Sequence, residues 1–232
     1  MHFFDIINDL KVIPMIRGKG FEFQVHDMLK EMLDPSKWRV TKYNTNPQRN
    51  ATDADLVAKN LEYDLEVILE CKTATRGSFS MGGSKRKSPV PHFTVKSHKS
   101  RSNKERELTN DRYFADEFDI VFANTANAFI QKGEFALLDN RDAVSIMQRL
   151  YGGTTWEDVF PAMSRDVRAA LTSSIVEDDG TLPRSPVVQI ENDPNWVTFD
   201  RVEELLMKVV KRKLGERARR PTRSAHLDLV GE

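Results

Sequence analysis

The chain has 232 residues, 39% of them apolar, with 35 basic residues against 35 acidic ones and a formal net charge of zero. That length and apolar content suffice for one substantial core, alone or with a small appended subdomain, and we expect a single domain over residues 1–232. Cys71 is the one cysteine, which excludes an internal disulfide and a multi-thiolate zinc cluster. No leader-like start and no run of roughly 20 apolar residues is present, so a soluble, cytoplasmic protein without a membrane partner is expected.

The first element is a helix. Phe21, Val25, Met28, Leu29 and Met32 recur at helical spacing, and Asp34-Pro35-Ser36 ends the run. Glu22 borders this apolar stripe. Residues 38–43 read as an edge-compatible strand and 44–50 as a polar loop. The apolar runs 56–58 and 65–69 then read as two paired strands, with 59–63 as their turn.

Side chains alternate across a strand, so Leu65, Val67, Leu69 and Cys71 share one face while Glu66, Ile68, Glu70 and Lys72 share the other. Cys71 is expected on the core side. If the two strands are hairpin neighbours, Asp55 lies opposite Glu70, and two carboxylates converge beside Lys72. Asp53 has the same parity as Asp55 and is a rival for its place.

Charge is unevenly distributed. Residues 71–104 carry nine basic residues and no acidic one: Lys72, Arg76, Lys85, Arg86, Lys87, Lys96, Lys99, Arg101 and Lys104, interleaved with His92, Phe93 and His98. Such a stretch, leading straight out of the strand that carries Glu70 and Lys72, can neutralise several phosphates and would make binding strongly salt dependent. Its Gly-Ser run at 77–84 and its Pro89-Val90-Pro91 also suit a solvated loop. Further on, 103–113 is read as helical, 118–123 as a buried strand and 134–138 as another. Arg112 is either a phosphate contact or, flanked by Asp111 and Asp116, half of a structural ion pair. In the last third, 142–150, 155–171 (turned near Pro161) and 199–214 have helical patterns, with a loop at 177–180 and a short strand at 187–190. Trp156 and Trp196 are read as core or interface anchors. The basic tail 208–223, with Lys211-Arg212-Lys213, is open between gripping DNA, covering a partner and fraying.

Two carboxylates, usually joined by a backbone carbonyl and waters, suit octahedral Mg²⁺, which is held by few protein ligands. A cation two residues beyond the second carboxylate is placed to stabilise charge on a scissile phosphate or to touch the attacking water.

Asp55 with Glu70-Cys71-Lys72 resembles the PD-(D/E)xK nuclease superfamily. The run Ala54-Asp55-Leu56-Val57-Ala58 leading to Leu69-Glu70-Cys71-Lys72 is similar to the core of archaeal Holliday junction resolvases and of type II restriction endonucleases. Gly18-Lys19-Gly20-Phe21-Glu22 matches the context of the glutamate found on the first core helix in that superfamily. Ala54 stands where the motif has proline. The resemblance spans residues 18 to about 73 and implies a mixed α/β sheet flanked by helices, a restriction-endonuclease-like core over about 15–140, and a helical C-terminal extension over about 141–232. It implies Mg²⁺ dependence, with Asp55, Glu70 and Cys71 at the metal, Lys72 as catalytic cation and Glu22 as auxiliary carboxylate. The expected activity is that of a type II site-specific deoxyribonuclease acting on double-stranded DNA as a homodimer, with Lys85, Arg86, Lys87, Lys96, Lys99, Arg101 and Lys104 as DNA contacts. A structure-selective nuclease and a non-catalytic DNA-binding module are the alternatives.

Overall fold

The computed structural model describes residues 12–42, 54–80, 82–83, 88–103, 110–131, 134–135, 145, 148–153 and 156–219. Helix α1 (Val12–Met32) leads into strands β1 (Trp38–Lys42), β2 (Leu56–Asn60) and β3 (Leu65–Thr73). β4 (His92–Thr94), β5 (His98–Asn103), β6 (Asn110–Arg112) and β7 (Ile120–Asn124) follow, then the short α2 (Ala126–Phe129) and the hairpin β8 (Ile130–Gln131) and β9 (Glu134–Phe135). The remaining elements are α3 (Trp156–Arg165), β10 (Val167–Leu171), α4 (Thr172–Ile175), β11 (Val187–Gln189), β12 (Trp196–Thr198) and α5 (Val202–Arg219).

Six strands form one mixed sheet in the order β1-β2-β3-β7-β10-β12. All neighbours are antiparallel except β3 and β7, which run parallel. The tight turn between β2 and β3 places Asp64 at a positive φ of 51°, a conformation that a short polar side chain tolerates.

The period of two builds a core on each side of this sheet. Leu56, Ala58, Val67, Leu69, Cys71, Ile120, Phe122, Val167 and Ala169 face α1 and α5, which contribute Phe21, Val25, Leu29, Val202, Leu205, Leu206, Val209 and Val210. The intervening residues Val121, Ala123 and Ala170 face a second cluster with Phe93, Val95, Tyr113, Phe118, Met163, Leu182, Val188 and Trp196. Every residue of β7 is buried, as a central strand covered on both faces requires. Fully burying a side chain such as Phe122 or Leu29 contributes about 1.5–3 kcal/mol, so these two clusters dominate the stabilisation.

Two sequence expectations are corrected. Residues 155–171 do not form one turned helix. α3 runs through Pro161 to Arg165, and β10 then pairs with β7 and β12 inside the main sheet. Part of the segment expected as a helical extension thus completes the sheet. β10 is buried along nearly its whole length, so it shows no two-residue alternation to mark it as a strand. The helix expected over 103–113 is also replaced: β6 pairs antiparallel with β5, from His98↔Arg112 to Asn103↔Asn110. Of the strand expected at 134–138, β9 is described and pairs with β8. The loop at 44–50 lies outside the described residues.

Among the described residues no helix is long and apolar enough to cross a membrane. Gly82 is held by geometry. Its φ of 88° suits glycine, and a Cβ there would collide with the backbone of Pro89.

Candidate active site

The site grows from the β2–β3 hairpin. Leu56 pairs with Leu69, so the residue before β2, Asp55, stands across from Glu70. Its own N–H donates to the Leu69 carbonyl at 3.2 Å, extending the ladder by one step. Its carboxylate accepts the backbone N–H of Cys71 at 2.8 Å. That bond fixes Asp55 against the peptide lying between Glu70 and Lys72.

Glu70 and Lys72 project from the same face of β3 and form an ion pair. Glu70 is 2% exposed. The Lys72 ammonium also donates to the Tyr113 hydroxyl at 2.8 Å and lies 4.5 Å from the centre of that ring. Burial by itself lowers a lysine pKa, but Glu70 and Tyr113 outweigh it and hold Lys72 above the ordinary lysine range, so it is a permanent cation.

Glu22 enters from α1. It follows Phe21, which anchors the helix in the core, and so sits at the flank of the buried stripe, itself only 6% exposed. Lys19 approaches it at 2.8 Å and Lys42 at 3.9 Å. Lys42 ends β1 and pairs with Leu56, one residue from Asp55, which brings Glu22 to the same rim.

Electrostatics report the crowding. Burial first, then the neighbouring Glu22, pushes the Asp55 carboxyl up to about 6 against the pull of the Cys71 N–H and Lys72. The Cys71 thiol lies in the core beneath these groups. Burial, reinforced by Asp55, Glu70 and Glu22, raises its pKa well above the ordinary thiol value. It stays protonated, so any contribution of Cys71 to a metal comes through its backbone.

Among the described residues no group of three or more His, Cys, Asp or Glu side chains is spaced to hold a metal ion. The donors present are the carboxylate oxygens of Asp55 and Glu70, which stand opposite each other on adjoining strands, with the Glu22 carboxylate next to Asp55. This set fits a hard cation that keeps most of its water, and does not fit a four-ligand zinc site.

The remaining predicted residues divide. Asp53, Lys85, Arg86, Lys87 and Lys104 lie outside the described residues. The backbone at Lys99 and Arg101 belongs to β5. Lys96 is exposed, and its N–H donates to the Thr73 carbonyl at 3.3 Å, so the basic stretch folds back onto the end of the strand that carries Lys72. His92 and Phe93 within that stretch are buried and serve packing.

Arg112 pairs with Glu177 and Asp179 and donates to the Thr181 hydroxyl at 3.1 Å, while Asp111 pairs with Arg184. It is therefore the structural ion pair, with partners from a distant loop. Arg212 and Lys213 each reach the buried carboxylate of Asp119 at 2.6 Å, binding α5 to the start of β7. These two basic residues thus hold the fold together and are not a free DNA-gripping tail.

Tyr113, Lys19 and Lys42 were not legible as site residues. Tyr113 is 41 positions from Lys72 in sequence, and no local spacing announces their contact.

Neither a family model nor a curated protein matches the sequence. Among solved structures the bacterial homing endonuclease I-Ssp6803I is similar. It shares 10% identity and a TM-score of 0.37 over 90% of this chain and 97% of its own. A likeness of that size assigns neither fold nor function.

Proposed function

We propose that this chain is a Mg²⁺-dependent DNA endonuclease of the PD-(D/E)xK kind, acting on duplex DNA as a type II restriction enzyme and working as a homodimer. The observation that carries the reading is the convergence of Asp55, Glu70 and Lys72 at one end of the β2–β3 hairpin, with Glu22 brought to the same rim by α1. A degenerate binding module has no need of a buried glutamate paired with a lysine and a half-buried aspartate across from it.

Asp55 and Glu70 would hold the metal, with a backbone carbonyl and water completing its shell. When bound, the ion supplies Lewis-acid polarisation of the phosphate and a lowered pKa for coordinated water. Lys72 does the rest of the electrostatic work. Its charge faces the anionic oxygens that develop as water attacks phosphorus and the phosphodiester P–O bond breaks, and its two fixed partners spare it reorganisation at that moment. Glu22 tunes Asp55, since its charge disfavours ionisation there until a cation is present.

The basic stretch supports a nucleic-acid substrate, with Lys96 exposed beside the end of β3. Two copies related by a two-fold axis would cut both strands of a palindromic target. Incubating the protein with a long plasmid and Mg²⁺ tests the reading. Discrete fragments are the expected result. Cleavage of branched DNA alone would make it a structure-selective nuclease, and binding without any cleavage would overturn the enzymatic assignment.

A further inference from the structure

We infer that Tyr113 is a positioning residue for Lys72, an assignment that rests on the nuclease reading above. An ammonium group has three N–H donors. Glu70 takes one and the Tyr113 hydroxyl takes another, so the two partners define the direction in which Lys72 offers its third. The tyrosine ring, 4.5 Å from the ammonium nitrogen, adds a cation–π contact on one side of the charge. Glu70 alone would stop rotation about the Cε–Nζ bond but would leave the end of the side chain able to swing about that one contact, and the Tyr113 hydroxyl removes this freedom.

Tyr113 is itself firmly placed. It is 5% exposed, its ring meets Phe118 edge-on with centroids 5.3 Å apart, and its carbonyl accepts the Leu182 N–H at 2.8 Å. It also directly follows β6, whose partner β5 carries Lys99 and Arg101 of the basic stretch. The strand pair that carries two of the proposed DNA contacts, Lys99 and Arg101, is therefore one residue away from the group that aims the catalytic cation.

Tyr113→Phe keeps the ring and removes the hydroxyl. Steady-state cleavage of a plasmid or oligonucleotide substrate in Mg²⁺ is expected to show kcat reduced about tenfold, the loss of one charge-assisted hydrogen bond in the transition state. KM, and affinity for the same DNA in Ca²⁺ without cleavage, should be unchanged. The ε-ammonium proton signal of Lys72, protected in the wild type by its two partners, should be lost from the ¹H–¹⁵N spectrum of the variant.

A wild type that cleaves alongside a Tyr113→Phe variant of equal kcat overturns the positioning role and leaves the nuclease reading intact. Persistence of the Lys72 signal, or an equal loss of DNA affinity, overturns it as well. A wild type that cleaves no DNA brings down the nuclease reading, and this role with it.

Discussion

Asp55 is ionised at neutral pH at a cost to the fold, and that cost is measurable. Its carboxyl, ordinarily at 3.8, is raised to about 6 by burial and by Glu22. At about 1.4 kcal/mol per pH unit, this displacement corresponds to about 3 kcal/mol of destabilisation once the group is fully ionised. The folded value lies above the unfolded one, so as pH rises the unfolded chain releases this proton first. The penalty is therefore absent below about pH 4 and complete above about pH 6 to 7. Asp55→Asn keeps an acceptor for the Cys71 N–H and removes the charge. In EDTA at pH 7.5 the variant should be more stable than the wild type, with about 3 kcal/mol as the ceiling, and the difference should vanish on acidification to pH 4. Urea unfolding at the two pH values measures it. Added Mg²⁺ should narrow the gap by stabilising the wild type alone. A variant equal to or less stable than the wild type at pH 7.5 would show that Asp55 is well solvated or already compensated, and the crowded-carboxylate argument would fail.

Lys72→Ala should abolish cleavage while leaving DNA binding in Ca²⁺ largely intact, and a variant that cuts at the normal rate removes Lys72 from the chemistry. Charge reversal at Lys85, Arg86 and Lys87 should weaken DNA affinity and flatten its salt dependence, by about 0.9 in slope for each phosphate that is no longer neutralised; an unaltered slope would exclude that segment from the interface. Asp119→Ala should destabilise the fold by about 1–3 kcal/mol in urea titrations, because the Ile68 N–H is deprived of its acceptor and Arg212 and Lys213 of their common partner; a neutral result would mean that water replaces all three interactions.

Local pattern made the centre of the molecule readable. Period-two alternation in 65–72 put Glu70 and Lys72 on one face and Cys71 on the other, and a short turn between two apolar runs made the strands neighbours. The amphipathic stripe from Phe21 to Met32 located α1, and Glu22 at its edge. These features survive in sequence because they depend on residues a few positions apart.

Elements whose environment is wholly buried were harder. β10 has apolar or covered residues on both faces, so periodicity vanishes there and the preceding helical pattern of α3 runs on into it. β6 contains Asn-Asp-Arg, with no strand propensity, and owes its conformation to pairing with β5.

Read along the chain alone, positions 55, 70 and 72 already offer two carboxylates and a lysine at matching strand parity, while the glutamate at 22 carries no sign of where it will fold. Folding in three dimensions selected which charges are engaged. Arg112, Arg212 and Lys213 look like any other basic residues in the chain, yet they are bound to Glu177, Asp179 and Asp119, whereas Lys96 is left exposed next to the end of β3. The Tyr113 hydroxyl reaches Lys72 across 41 residues, and Asp55 owes its raised pKa to burial and to a glutamate on a helix far earlier in the chain. Ion pairing and desolvation depend on distance in space and on exclusion of water, and neither is encoded in the spacing of residues along the chain.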